Sequence, residues 1–235
     1  MEFYKPVITT FETNASMYES ATALAINQIL DSISENGLAR IALSGGSTPL
    51  PLYKKLFSNP FIEPELIELF QTDERYISSD LPQSNQLNIN SCLGENVNYF
   101  KEVNFINTKL PTNDAVLQYN EIIESLDAPL FDLTILGIGE DGHIASLFPK
   151  GNYLNDFQPN VHFTSTSKFD IKERITLSLN SILKSSMLLI LLTGERKRHI
   201  VPEILEGKKE SIEFPAKFLL CHPNVTILES FEDEN

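Results

Sequence analysis

The chain has 235 residues, 42% of them hydrophobic, and a formal net charge of −14. That length supports one large α/β domain spanning residues 1–235, and the composition excludes a disordered chain. The acidic balance argues against nucleic acid or an anionic membrane surface as partner.

No apolar run reaches membrane-spanning length. The opening "MEFYKPVITT" lacks a basic region followed by an apolar run, so no signal peptide is expected. Cys92 and Cys221 are too few for a disulfide framework and are not spaced as metal ligands. A reducing, cytoplasmic location is therefore expected.

The first predicted element is a helix over "NASMYESATALAINQILDSISENG". Met17, Ala21, Leu24, Ala25 and Ile33 fall near helical spacing, Asn14 is the expected cap and Gly37 the stop. "LARIALS" reads as a strand and "TPLPLYKKLF" as a helix, with Thr48 as cap and Pro49 at its first position. "LIELFQ" is a strand, "DERYISSDLPQSN" a long loop and "VNFIN" a strand. "NDAVLQYNEIIESL" is a helix opened by Asn113. "FDLTILGIG", "VHFTST", "RITLSL", "MLLILLTG" and "NVTILES" are further strands. "ERKRHIVPEILEG" reads as a helix ending at Gly207, with Pro202 a candidate kink. Strands alternating with helices imply a mostly parallel sheet covered on both faces, with ligands bound beyond the carboxyl ends of the strands.

Three strand-end loops carry the chemistry. In "ALSGGSTPLPLY", Gly45 and Gly46 let backbone approach a ligand. The helix start then offers N–H groups beside the Ser47 and Thr48 hydroxyls, a pattern suited to an anion. Gly45–Pro49 nearly matches the G-x-S-x-G nucleophile elbow, but Pro49 stands where its second glycine is required. In the second loop Asp73, Glu74 and Arg75 are consecutive and cannot all face one way. Taken alone they read as a solvated charge cluster. Arg75, one of only five arginines, is nevertheless a candidate for a phosphate or carboxylate.

The third loop is "ILGIGEDGHIASLFP". Gly137, Gly139 and Gly142 fit G-x-G-x-x-G, but Pro149 leaves no room for the long helix a dinucleotide needs. The carboxylate expected roughly 20 residues on is also missing, since Asp156 comes too early and Asp170 too late. Asp141 and His143 are two apart, so the carboxylate can orient the ring as a general base. The other histidines form no i, i+4 pair and no Cys/His cluster, so no metal site is expected.

Taken together, "LSGGSTP", "TDERY" with "SN" downstream, and "GIGEDGHIASLFP" resemble the 6-phosphogluconolactonases. The wider group includes the glucosamine-6-phosphate deaminases, and the "SLFP" ending points to the lactonase branch. "RITLSL" resembles the family's arginine-bearing strand, giving Arg174, and "LLTGERK" its glycine-to-lysine segment, giving Lys197. Gln71 departs from the family pattern, where an aromatic residue often precedes the D-E-R triplet. The C-terminal "HPNVTILES" lacks the family's frequent tryptophan.

The resemblance implies a Rossmann-like, glucosamine-6-phosphate deaminase-like fold and hydrolysis of 6-phospho-D-glucono-1,5-lactone in the pentose phosphate pathway. It implies no cofactor and no metal. His143 and Asp141 would be catalytic, with Gly45, Gly46, Ser47, Thr48, Asp73, Arg75, Arg174 and Lys197 binding substrate. The expected partner is the small sugar-phosphate lactone, with neither nucleic acid nor membrane; the sequence does not fix the oligomeric state, with a monomer favoured. The nearest alternative is the deaminase-isomerase. In that branch a glutamate follows the histidine by five residues, where this chain has Phe148. A non-catalytic sugar-phosphate sensor would keep the phosphate grip without needing His143.

Overall fold

The computed structural model describes residues 3–156, 158 and 160–232; the ends of the expected 1–235 domain, with Phe157 and Pro159, lie outside the described residues. The strands in chain order are β1 (Val7–Phe11), β2 (Ala39–Leu43), β3 (Ile67–Gln71), β4 (Asp73–Arg75), β5 (Glu102–Asn104), β6 (Phe131–Gly137), β7 (Val161–Ser165), β8 (Glu173–Leu177), β9 (Ser185–Thr193) and β10 (Val225–Ser230). The α-helices are α1 (Asn14–Asn36), α2 (Leu50–Phe57), α3 (Asn85–Leu93), α4 (Thr112–Glu124), α5 (Leu179–Leu183) and α6 (Ile200–Glu206). Seven strands form one sheet in the order β1-β10-β9-β6-β2-β3-β5, with every pairing parallel. A small antiparallel sheet, β4-β8-β7, stands beside it.

The large sheet is buried on both faces, as near-continuous apolar strands require. Along β9, Leu188, Ile190 and Leu192 join one core with Ile182, Ile204 and Phe214. The alternate residues Met187, Leu189 and Leu191 join a second core with Met17, Ala21, Ala25 and Ile29 of α1. Those four α1 residues are spaced by four, which puts them on one stripe of the helix.

Several local expectations are corrected. The α1 cap is Thr13, not Asn14: Thr13 is extended and its side chain accepts from the Ser16 N–H. Gly37 does end the helix, in the left-handed conformation at φ 76°. Pro49, not Thr48, precedes α2, and Pro111 precedes α4, so Asn113 lies inside that helix and does not cap it. The expected long loop after Gln71 opens as β4 and ends as α3. The segment after Gly194 is split into a 3-10 turn, Glu195–Lys197, and α6. Pro202 sits in the first turn of α6, where its missing N–H has no intrahelical partner to lose, so it kinks nothing. The sequence reading also passed over β1 and α5. No described helix is long and apolar enough to cross a membrane.

From β2 the chain winds outward through β3 to β5; from β6 it winds the other way through β9 to β10. The direction reverses between neighbours β2 and β6, and connections leaving in opposite directions open a crevice at their carboxyl ends.

The cap assignment is checked by urea unfolding. Thr13→Ala should cost about 1 kcal/mol. Asn14→Ala should cost markedly less, because the Asn14 Oδ1 is buried without a hydrogen-bond partner.

Candidate active site

The crevice is a cleft of about 220 Å³. Ser44–Pro49 line it from the end of β2, Asp73, Arg75 and Asn85 from the second loop, and Gly137–Gly139, His143 and Ala145 from the end of β6. Lys197, from the turn after β9, completes the wall. Eight expected site residues thus meet in one place: Gly45, Gly46, Ser47, Thr48, Asp73, Arg75, His143 and Lys197.

Two glycines are required by contact. A Cβ on Gly45 would run into the Asn85 side chain, and one on Gly139 would fall on the His143 ring. The His143 loop closes on itself, with Gly139 N–H donating to the His143 carbonyl at 2.9 Å and Gly142 N–H to the Gly139 carbonyl at 2.8 Å. No helix follows Gly142; the chain forms isolated bridges at Ile138–Ile144 and Ile144–Leu147. The loop thus lacks the helix N-terminus that a dinucleotide pyrophosphate needs.

Asp141 lies behind the ring. Its Oδ1 is 2.6 Å from His143 Nδ1 and its Oδ2 is 2.6 Å from Lys168 Nζ. Burial opposes ionisation of this carboxyl, but the hydrogen bonds from His143 and Lys168 outweigh it and hold Asp141 well below the usual carboxylate range. An ionised carboxylate only accepts, so His143 Nδ1 carries a proton, which in the neutral tautomer leaves the lone pair on Nε2. The ring is flanked by Phe148 and Phe169, with centroids at 5.1 and 5.8 Å.

The D-E-R triplet is not a solvated cluster. Asp73 and Glu74 are buried, and strand alternation sends them to opposite faces of the small sheet. Asp73 accepts from Ser146 at 2.6 Å and from Thr72 at 3.1 Å, which ties the second loop to the third. Glu74 takes the N–H groups of Asn85 and Gln86 at the start of α3, together with Gln71, Ser84 and the Arg75 N–H. Burial pushes its carboxyl upward and these donors pull it back. Gln71 also accepts from the Ile106 N–H at 2.8 Å, so the residue that departs from the family pattern anchors the loop through polar contacts.

Arg174 is placed differently from the expectation. It pairs directly with Arg75 across β4 and β8, on the same face as Asp73, but it is buried and does not line the cleft. Burial first, and the like charge of Arg75 second, push it down to about 10. Arg40, Arg196 and Arg198 each lie within 3.3 Å of a carboxylate. Among the described residues Arg75 and Arg174 have no such ion pair, and Arg75 reaches the Gln83 carbonyl instead. The Thr48 hydroxyl is turned to Thr193 at 3.0 Å.

Sequence reasoning missed Ser146, Asn85 and Lys168 as site residues. Asn85 was within reach, since the quoted "SN" ends on it; its amide donates to the Asp73 carbonyl at 2.9 Å. Ser146 and Lys168 gave no signal, because their partners are distant in sequence.

A sequence model described as glucosamine-6-phosphate isomerases/6-phosphogluconolactonase matches residues 12–228. A 6-phosphogluconolactonase of Thermotoga maritima is 36% identical over 190 residues, covering 75% of this chain and 84% of that one. A probable 6-phosphogluconolactonase of Dictyostelium discoideum is 32% identical over 209 residues, covering 86% and 88%. The crystal structure of 6-phosphogluconolactonase from Thermotoga maritima superposes with a TM-score of 0.83 at 30% identity, over 97% of this chain and all of that one.

Removing the Glu74 carboxylate leaves several buried donors without acceptors. Glu74→Ala should therefore destabilise the fold by about 3 kcal/mol or more in urea unfolding. A cost below about 1 kcal/mol would show the carboxylate to be dispensable.

Proposed function

The chain belongs to the family of glucosamine-6-phosphate isomerases and 6-phosphogluconolactonases, and from that premise we propose that it hydrolyses 6-phospho-D-glucono-1,5-lactone to 6-phospho-D-gluconate. This is a step of the oxidative pentose phosphate pathway. The observation that carries the reading is the Asp141–His143 pair, 2.6 Å apart, with the ring in the cleft wall.

His143 Nε2 takes a proton from water as the water oxygen bonds to C1 of the lactone. The C1 carbonyl becomes an oxyanion, stabilised by N–H groups at Gly45 and Gly46 or by Arg75. As the carbonyl re-forms, the bond from C1 to the ring oxygen breaks, and the imidazolium returns its proton to that oxygen. The new carboxylic acid then loses its proton to solvent. Asp141 holds the ring and its tautomer throughout. Such lactones open readily, so one base and good positioning suffice without a covalent intermediate. Ser47 therefore binds and does not attack.

The phosphate falls to the Gly45–Thr48 turn, Lys197 and the arginine pair. Two guanidinium groups at paired positions repel each other, and a phosphate held on the cleft side of Arg75 offsets that cost. Arg174 then acts from behind Arg75, consistent with its burial. Phe148 supports hydrolysis over deamination: at 5.1 Å from the histidine ring, it offers no proton carrier where the deaminase branch has a glutamate.

The direct test is a coupled assay of lactone hydrolysis against the spontaneous rate. His143→Ala should leave a folded protein with turnover lowered about 10²–10⁴-fold. Retention of near-native turnover would sink the mechanism.

The phosphate grip is tested with two substrates. Arg174→Ala and Lys197→Ala should each lose about 1.5–3 kcal/mol in kcat/KM on the phosphorylated lactone. Plain gluconolactone should be affected far less, and equal losses on both would make these residues structural.

A further inference from the structure

The turn between β7 and β8 reaches over to the histidine. It is a built turn: the Thr166 N–H donates to the Lys172 carbonyl at 3.0 Å, and the Lys168 N–H to the Thr166 hydroxyl at 3.2 Å. From it, Lys168 Nζ meets Asp141 Oδ2 at 2.6 Å, and the adjacent Phe169 stands edge-on to the His143 ring at 5.8 Å. Lys168 is not part of the cleft lining, so its ammonium faces the carboxylate and not the substrate.

A lone carboxylate beside an imidazole has two effects. It fixes the tautomer, which helps a base, and it stabilises the imidazolium, which removes the base. A cation on the far oxygen of the same carboxylate keeps the first effect and weakens the second.

We infer that Lys168 is a positioning residue of the hydrolysis, holding Asp141 in its His143-facing orientation and keeping the ring in its neutral, proton-accepting form. This rests on the reading of His143 as the base. The other charged and titratable groups near the ring are Asp73, Arg75 and Lys197 across the cleft, and Tyr153, whose phenolic oxygen accepts from the Phe148 N–H at 3.0 Å. Asp73 is already held by two hydroxyls, and Tyr153 is kept protonated by burial. Lys168 is the cation that shares its carboxylate with the ring.

The test uses Lys168→Met and Lys168→Arg in the full chain. The lysine side chain is 54% exposed on a surface turn, so neither change threatens the fold. Proton NMR follows the His143 ring, assigned among the four histidines by its loss in His143→Ala. In Lys168→Met the ring should protonate at a pH higher by about half to one unit. The acid limb of kcat/KM should move with it, a loss of about three- to tenfold on the acid side, with the alkaline plateau less affected. Lys168→Arg should restore both.

An unmoved ring titration in Lys168→Met, with His143→Ala inactive, overturns this proposal alone. A uniform loss of kcat/KM at every pH also overturns it, assigning Lys168 to substrate or scaffold. Native-like turnover in His143→Ala would instead sink the base reading and this proposal with it.

Discussion

The winding of the parallel sheet reverses between β2 and β6, and the molecule is organised around the gap this leaves. Neighbouring parallel strands end side by side, and their following loops diverge because the next helices lie on opposite faces. The Gly45–Thr48 turn and the His143 loop therefore face each other across a space no helix fills. The small antiparallel sheet closes the third side, because β4 continues almost directly from β3 and carries Asp73 and Arg75 to the rim. Each loop is then fixed by a contact to another: Gly45 against Asn85, Asp73 to Ser146, Asp141 to Lys168.

This arrangement reconciles an acidic chain with an anionic substrate. A net charge of −14 repels anions at long range. Over a few ångströms the balance differs, because salt and solvent screen the distant carboxylates while nearby cations act unscreened. Three of the five arginines are paired with carboxylates, and of the remaining two Arg75 lines the cleft with Arg174 paired to it on the neighbouring strand. The acids at and behind the site are also engaged: Asp73 accepts from two hydroxyls, Glu74 holds α3, and Asp141 is shared between two donors. Charge is thus sorted by neighbourhood, not by total.

What the sequence made legible follows from the range of the forces involved. Helix α1 could be read because a stripe of apolar residues repeats along it, and the buried strands because their apolar runs are bounded by turn residues. The Asp141–His143 contact could be read because two residues in a glycine turn meet by local geometry alone. Helix caps were misplaced by one or two residues, since Thr13 and Asn14 both suit the position and backbone geometry decides. Helix α3 was missed because its buried residues Asn85, Ile89 and Leu93 give little apolar signal, and its start is held by Glu74 from outside the helix. The triplet Asp73–Arg75 looked solvated because nothing local reveals that a distant serine and a helix start satisfy its carboxylates. Lys168 was invisible for the same reason.

The pairing of β1 has a consequence for how the protein is made. The outermost strand lies wholly against β10, from Val7 opposite Thr226 to Phe11 opposite Ser230. During synthesis that segment has no strand to join until about 220 further residues have left the ribosome, a wait of roughly ten to forty-five seconds at ordinary translation rates. Its sequence, VITTF, is uncharged and strand-forming throughout, so protection during the delay falls to its flanks, Lys5 and Pro6 before it and Glu12 after it. The edge strand that waits longest for its partner is thus the one whose flanking residues must keep it from other chains.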